Sequence, residues 1–358
     1  MTERSSSHDK VHKRGGGAAP TLSDVAKHAG VSRMTVSRVV NGQPLVVEST
    51  RDKVNAAIEA LGYVPNSAAR SLAAGGKSRI ALVHCNPSAA YLSEFLMGAL
   101  AQTGASGAQL VVEHYDENDK AADIVKRLSR HRVNAVLLPP PLCDDASLLE
   151  CLAAAHVEIV QIATGRPVPF AHAVTIDNVD AAKAMTKHLI AMGHSRIGFI
   201  VGSANQAASG LRLRGYEEAL RESGIALDPG LVALGDFTYR SGLEAAQLLL
   251  AEKSRPTAIF ASNDDMAAAT VAVAQRLGID VPTGLSVCGF DDTAMATAIW
   301  PELTTIRQPI SEMSQLAAEM LSEATQIGHI GHARSTRHVR LQYQLVCRES
   351  VARRRSRD

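Results

Sequence analysis

A chain of 358 residues is longer than one ordinary domain, so two or three domains are expected. Its 46% hydrophobic and 20% charged residues form an ordinary globular balance with ample material for a core, and its formal net charge of +1 points to no partner by itself. No stretch approaches the ~20 consecutive apolar residues of a membrane span. The five scattered cysteines (Cys85, Cys143, Cys151, Cys288, Cys347), none in a Cys-x-x-Cys, indicate neither a disulfide framework nor a zinc site.

Residues 1–20, MTERSSSHDKVHKRGGGAAP, lack the apolar middle of a secretory signal and read as a disordered, mildly basic tail, so a reduced cytoplasmic setting is expected. Between Thr21 and Lys77 there are seven Lys/Arg against four Asp/Glu, a balance that suits phosphate contacts and equally suits a solvated surface. Thr21-x-x-Asp24 predicts a capping box opening a helix through His28. Ala29-Gly30-Val31-Ser32 breaks it, and Ser32 caps a second helix, Arg33 to Val40. Ser49 or Thr50 is the expected cap of a third, on which Val54, Ala57, Ile58 and Leu61 fall at helical spacing. Pro65 stops that pattern. Asn66–Ala74 permits a helix but is too short to hold one alone, and Gly75-Gly76 follows as a flexible link.

After Lys77 the texture changes. Apolar runs at Arg79–Cys85, Leu110–His114, Ala135–Leu138, Ile159–Ile162, Ile197–Val201, Thr257–Ala261 and Ser286–Gly289 alternate with helical segments. Short buried strands separated by helices predict parallel sheets in an α/β architecture. Two such units, roughly residues 78–177 and 178–306, are each of domain size.

Two helices joined by a tight turn containing Gly30 fit a helix-turn-helix, whose second helix enters the DNA major groove. On that helix Val36, Val39 and Val40 share an inward face, while Arg33, Met34, Ser37 and Arg38 point elsewhere. Arg38 can hold a guanine edge through two hydrogen bonds, and Ser32, Thr35 and Asn41 suit phosphate contacts. By spacing alone, a small helical bundle with ordinary polar surface residues fits as well. The strings TLSDVAKHAGVSRMTVSRVVNG and STRDKVNAAIEALGYVPNSAARSLAAG strongly resemble the headpiece and hinge of the lactose/galactose repressor (LacI/GalR) family. That resemblance implies that Arg33, Met34 and Arg38 face bases and that Asn66 belongs with the DNA-contacting residues. It also implies that Leu72 is driven into the minor groove as an apolar wedge that unstacks a base step. Met34 departs from the polar residue often seen there in relatives.

The resemblance continues through VTIDN, GHSRIGFIVG, LRLRGYEEAL, PTAIFASNDDMA, SVCGFDD and PELTTIRQP. It implies an all-α headpiece at residues 21–65, a hinge helix and linker at 66–77, and a two-subdomain core like the periplasmic sugar-binding proteins. The implied N-subdomain is residues 78–177 with part of 308–339, and the C-subdomain is 178–307 with 340–350. Residue-for-residue matching places Arg212 and Asp291 in an effector cleft between them, where an arginine and a carboxylate can grip a polyol from opposite sides. Asn263 and Phe237 are candidates for the same site, and for all four residues the alternative is a structural role such as a cap or an interdomain salt bridge. Residues 83–93 and 161–165 are expected on the opposite wall, and Ala163 stands where several sugar-sensing relatives carry an acid. His194 after Met192-Gly193 reads as a helix C-cap in preference to a ligand, and Asp264-Asp265, which suggests a metal or acid pair, reads in preference as carboxylates favouring the positive end of a helix.

An enzyme on a doubly wound fold would need a phosphate loop or a nucleophile, yet no GxGxxG opens the first βα unit and neither GxxxxGK[ST] nor GxSxG occurs. A transport binding protein leaves the headpiece unexplained, and a nucleoid protein leaves the cleft unexplained. The expected protein is a non-enzymatic, ligand-responsive repressor needing no cofactor or metal. It takes double-stranded operator DNA and a small-molecule effector, a sugar or sugar derivative, as partners. The resemblance implies dimerisation through the core, and a homodimer is expected and not a tetramer, since VARRRSRD lacks the leucine heptad by which some relatives become tetramers.

Overall fold

The protein is described by a computed structural model covering residues 21–40, 46–61, 78–116, 118–251, 254–327 and 336–354. It divides into two units, Met1–Lys77 and Ser78–Asp358. In the first, Thr21 closes a complete capping box with Asp24 on α1 (Leu22–Ala29). Gly30 then turns the chain in the left-handed region (φ 66°), where the absence of a Cβ removes the steric penalty. The Ser32 hydroxyl accepts the Thr35 N–H at 3.1 Å and caps α2 (Arg33–Val40). α3 (Glu48–Leu61) starts earlier than expected. The Val47 carbonyl accepts from Thr50 and Arg51, so Ser49 and Thr50 lie inside the first turn and neither is the cap. Val25, Ala26, Val36, Val39, Val54 and Ala57 form the buried centre of these three helices.

The second unit is α/β. Its elements run β1 (Arg79–His84), α4 (Ala89–Ser106), β2 (Gln109–His114), α5 (Ala121–Arg130), β3 (Ala135–Leu138), α6 (Ala146–Ala154), β4 (Glu158–Ile162) and β5 (His172–Thr175). Next come α7 (Asn178–Ala191), β6 (Ile197–Val201), α8 (Ala207–Glu222), β7 (Val232–Leu234), α9 (Tyr239–Ala251), β8 (Ala258–Ala261), α10 (Asp264–Arg276) and β9 (Ser286–Cys288). The last are α11 (Met295–Ala298), β10 (Thr305–Arg307), α12 (Ile310–Ile327), β11 (His338–Arg340) and β12 (Gln344–Val346). One lobe is built on a sheet of order β11-β5-β4-β3-β1-β2, the other on β7-β6-β8-β9, and every pairing in both is parallel. Helices cover both faces, so β3 and β8 are buried along their whole length. That double burial is why the apolar runs predict the central strands well.

The chain crosses between lobes more than once. α12 and β11 return to the first lobe, where β11 adds beside β5. β10 pairs antiparallel with β12, and the Val287 N–H then donates to the Ser350 carbonyl alongside β9. His194 belongs to this closing tail. Its N–H does finish α7 by reaching the Leu189 carbonyl, but its ring, buried, joins the Thr257 hydroxyl at 2.9 Å and the Ala352 carbonyl at 3.1 Å. The side chain therefore ties a strand start to the tail and does not cap the helix. Burial holds its pKa below the ordinary histidine value. Among the described residues no helix is long and apolar enough to cross a membrane.

Candidate functional site

On α2 the buried Val36 and Val39 turn the opposite side outward, leaving Arg33, Met34 and Arg38 exposed. Met34 is 65% exposed on the same side as the two arginines. Thr35 and Ser37 are half-buried on the flank of the same helix, and Ser32 shares its hydroxyl with Thr35 at 2.9 Å as part of the cap. Two arginines beside an apolar group on one helix face match the donors and methyl-contacting groups that read base edges. Asn41, Asn66 and Leu72 lie outside the described residues.

The second site is a cleft between the two lobes of the core, where Asn86, Ser88, Tyr91, Pro140 and Ala163 face Gln206, Ala208, Arg212, Phe237, Asn263, Asp291 and Gln308. Arg212 projects from α8 and is buried. Its Nε donates to Asn178 Oδ1 at 3.0 Å, its Nη1 donates to the Ser262 carbonyl, and its guanidinium lies 3.6 Å over the Phe290 ring. Asp291 Oδ1 stands 3.7 Å from Arg212 Nη1 and accepts from Gln308 Nε2 at 2.5 Å. Burial pushes the Asp291 carboxyl up to about 7, against the downward pull of Arg212 and Gln308. Ala163 (φ 55°), Phe237 (φ 73°), Asp291 (φ 111°) and the adjacent Asp292 (φ 58°) all hold left-handed backbone. Such strain costs non-glycine residues about 1–3 kcal/mol each and concentrates at functional sites.

The cleft brings Arg212, Asp291, Asn263 and Phe237 together. Asn263, however, is engaged by its own fold: it caps α10 by accepting the Met266 N–H at 3.0 Å and donates to the Phe237 carbonyl at 2.9 Å. The cap position is thereby taken, and Asp264 and Asp265 do other work. Asp264 is buried and accepts from the Thr305 hydroxyl at 2.6 Å and the Thr293 N–H at 2.8 Å. Asp265 accepts the Ser88 hydroxyl at 2.6 Å from across the cleft. Both acids stand in the first turn of α10, as expected, and these partners add to that placement. Two residues not singled out from the sequence carry the clearest sign of a ligand. Tyr91 Oη and Gln308 Oε1 are buried in the lining without a hydrogen-bond partner, an arrangement that costs roughly 1–3 kcal/mol per group unless something bonds to them. Tyr91 falls within the expected wall 83–93, and Gln308 precedes the final proline of the PELTTIRQP string. Among the described residues no three His, Cys, Asp or Glu side chains gather as a metal site.

Residues 21–66 match the family model of bacterial regulatory proteins, lacI family, and residues 186–351 match that of the periplasmic binding protein-like domain. Catabolite control protein A of Priestia megaterium is 34% identical over 305 residues, covering 85% of this chain and 92% of that protein. The chain belongs to the lacI family of bacterial regulatory proteins. Among solved structures, a CelR–cellobiose complex is 33% identical over 92% of this chain and 99% of its own, with a TM-score of 0.70. The Lac repressor dimer bound to operator and the anti-inducer ONPF is 28% identical, over 94% of this chain and 100% of its own, with a TM-score of 0.68. This lacI-family chain is a DNA-binding transcription regulator modulated by an effector, and its similar proteins are regulators and not enzymes.

Proposed function

We propose that this lacI-family regulator is a cytoplasmic repressor acting as a homodimer. Its paired headpieces read a pseudo-palindromic operator, and an uncharged sugar or sugar derivative binds between the core lobes. The assigned boundaries are headpiece 21–65, hinge 66–77, N-subdomain 78–177 with part of 308–339, and C-subdomain 178–307 with 340–350. Arg33, Met34 and Arg38 face bases, and Ser32, Thr35, Ser37, Asn41 and Asn66 support the backbone contacts. Leu72 acts as the minor-groove wedge. Arg212, Asp291, Phe237 and Asn263 form the effector site, and Tyr91 and Gln308 complete it.

The observation that carries the effector site is the pair of unpartnered buried atoms, Tyr91 Oη and Gln308 Oε1, facing the cleft beside Arg212 and Asp291. One offers a donor and the other an acceptor, which is what a hydroxyl-bearing ring takes up. Arg212 already has Asn178, Ser262 and Asp291 around it, so a neutral polyol suits the cleft better than an anion. The test is a thermal-shift screen of neutral sugars, sugar acids and nucleobases against the purified protein. Neutral sugars should raise the melting temperature, and Arg212→Ala or Asp291→Ala should abolish the shift while leaving operator affinity near wild type. A shift confined to acids or nucleobases would overturn the sugar assignment.

A further inference from the structure

α8, the helix that carries Arg212, begins without a cap of its own. Its N-cap residue, Gln206, makes no side-chain bond to the first turn, although the first N–H groups of any helix need acceptors from outside it. The acceptor comes from the other lobe. Asp144, at the end of the 3-10 turn Leu142–Asp144, takes the Ala207 N–H on Oδ2 at 2.9 Å. Its second oxygen is fixed by the Thr164 hydroxyl at 2.5 Å, and Gln161 braces the same turn by donating to the Cys143 carbonyl at 2.5 Å and accepting from Val168 at 2.8 Å. Asp144 thus reaches across from a rigid mount, and its carboxylate stands where a helix end favours negative charge.

Beside it, Gly165 of the same lobe packs straight onto α8. A Cβ there would lie 2.6 Å from the Ala207 Cβ and 2.8 Å from Leu211 Cδ1, so a larger residue would force the lobes apart. The Ser88–Asp265 bond joins the lobes at a second place, between the start of α4 and the first turn of α10. With these contacts made, the lobes are joined at two places beside the cleft.

Resting on the reading of the cleft as the effector site, we propose that Asp144 is a positioning residue for it. Asp144 caps α8 across the lobe boundary only while the lobes are closed, and so links closure of the cleft to the placement of Arg212. Opening the lobes to admit an effector uncaps α8, and closing on the effector restores the cap. Asp144 and Gly165 therefore set the balance between open and closed lobes before any effector arrives, and the effector shifts that balance.

The test needs no effector, so its outcome is separable from that of the sugar screen. Amide hydrogen exchange of the full-length protein is compared in Asp144→Ala, Asp144→Asn and Gly165→Ala, together with small-angle scattering. Asp144→Ala and Gly165→Ala should each raise exchange over residues 203–210 roughly tenfold, equivalent to about 1.4 kcal/mol, and enlarge the radius of gyration. Asp144→Asn, which keeps an acceptor oxygen, should remain close to wild type in both. Exchange over β6 should not change in any variant. Wild-type protection of residues 203–210 in Asp144→Ala would overturn the proposal. So would an Asn variant no better than Ala, or an equal rise over β6, which would reduce Asp144 to general stability.

Discussion

Arg38 and Asp291 carry the most direct expectations for single side chains. If Arg38 holds a base edge, Arg38→Ala should weaken binding to an operator selected from random DNA by about 1–3 kcal/mol and affect non-specific DNA much less. Equal losses on both would make it a phosphate contact. Asp291 titrates in the opposite sense to a surface carboxylate. Its folded-state pKa lies near 7 and its ordinary value near 3.8, so between those limits the folded protein holds a proton that the unfolded chain releases. The stability it contributes is full below about pH 4 and is lost as pH rises toward 7, by at most about 1.4 kcal/mol per pH unit. Buried histidines such as His172 and His194, held below their usual value, act the other way as pH falls. The signal is therefore the difference between wild type and Asp291→Asn in urea unfolding, which should shrink as pH rises from 4 to 7. A flat difference would mean that Asp291 is ionised throughout. Arg212 and Asp291 were legible in the sequence as motif matches, whereas Tyr91 and Gln308 were not. What marks them is a missing partner, and a partner is a property of three dimensions.

The starts of α1 and α2 were legible from local caps, whereas at α3 Ser49 and Thr50 look like caps and lie inside the first turn. Thr21 and Asp24 announce their capping box by spacing, and Thr21→Ala should cost the headpiece about 0.5–2 kcal/mol. Amide exchange over residues 22–29 checks this, because faster exchange there with an unchanged core is the expected result. Asp264 and Asp265 were legible as acids in a helix's first turn, but their partners Thr305, Thr293 and Ser88 lie too far along the chain to be read. The cap of α8 was unreadable, since Asp144 precedes Ala207 by most of a lobe. Strands divide in the same way. β1, β3, β6 and β8 bury both faces and read as apolar runs. β7, β11 and β12 are three residues each, partly exposed, and hold their places through neighbours brought from elsewhere in the chain.

For the whole molecule the expectation is a homodimer in light-scattering chromatography, since one headpiece spans too few base pairs to select a site and a two-fold pair reads both halves of a palindrome. A stable tetramer would contradict it. Both lobes of the core depend on the last described segment of the chain. β11 completes the first lobe's sheet beside β5, and Ser350 and Ala352 complete the second beside β9. During synthesis at ~5–20 residues per second, an edge of each lobe stays bare until these residues leave the ribosome. The described headpiece core closes within residues 22–61, so that unit can fold long before. In order of birth the reader of DNA precedes its sensor, and a chain stopped after α12 would lose the finishing strands of both lobes at once.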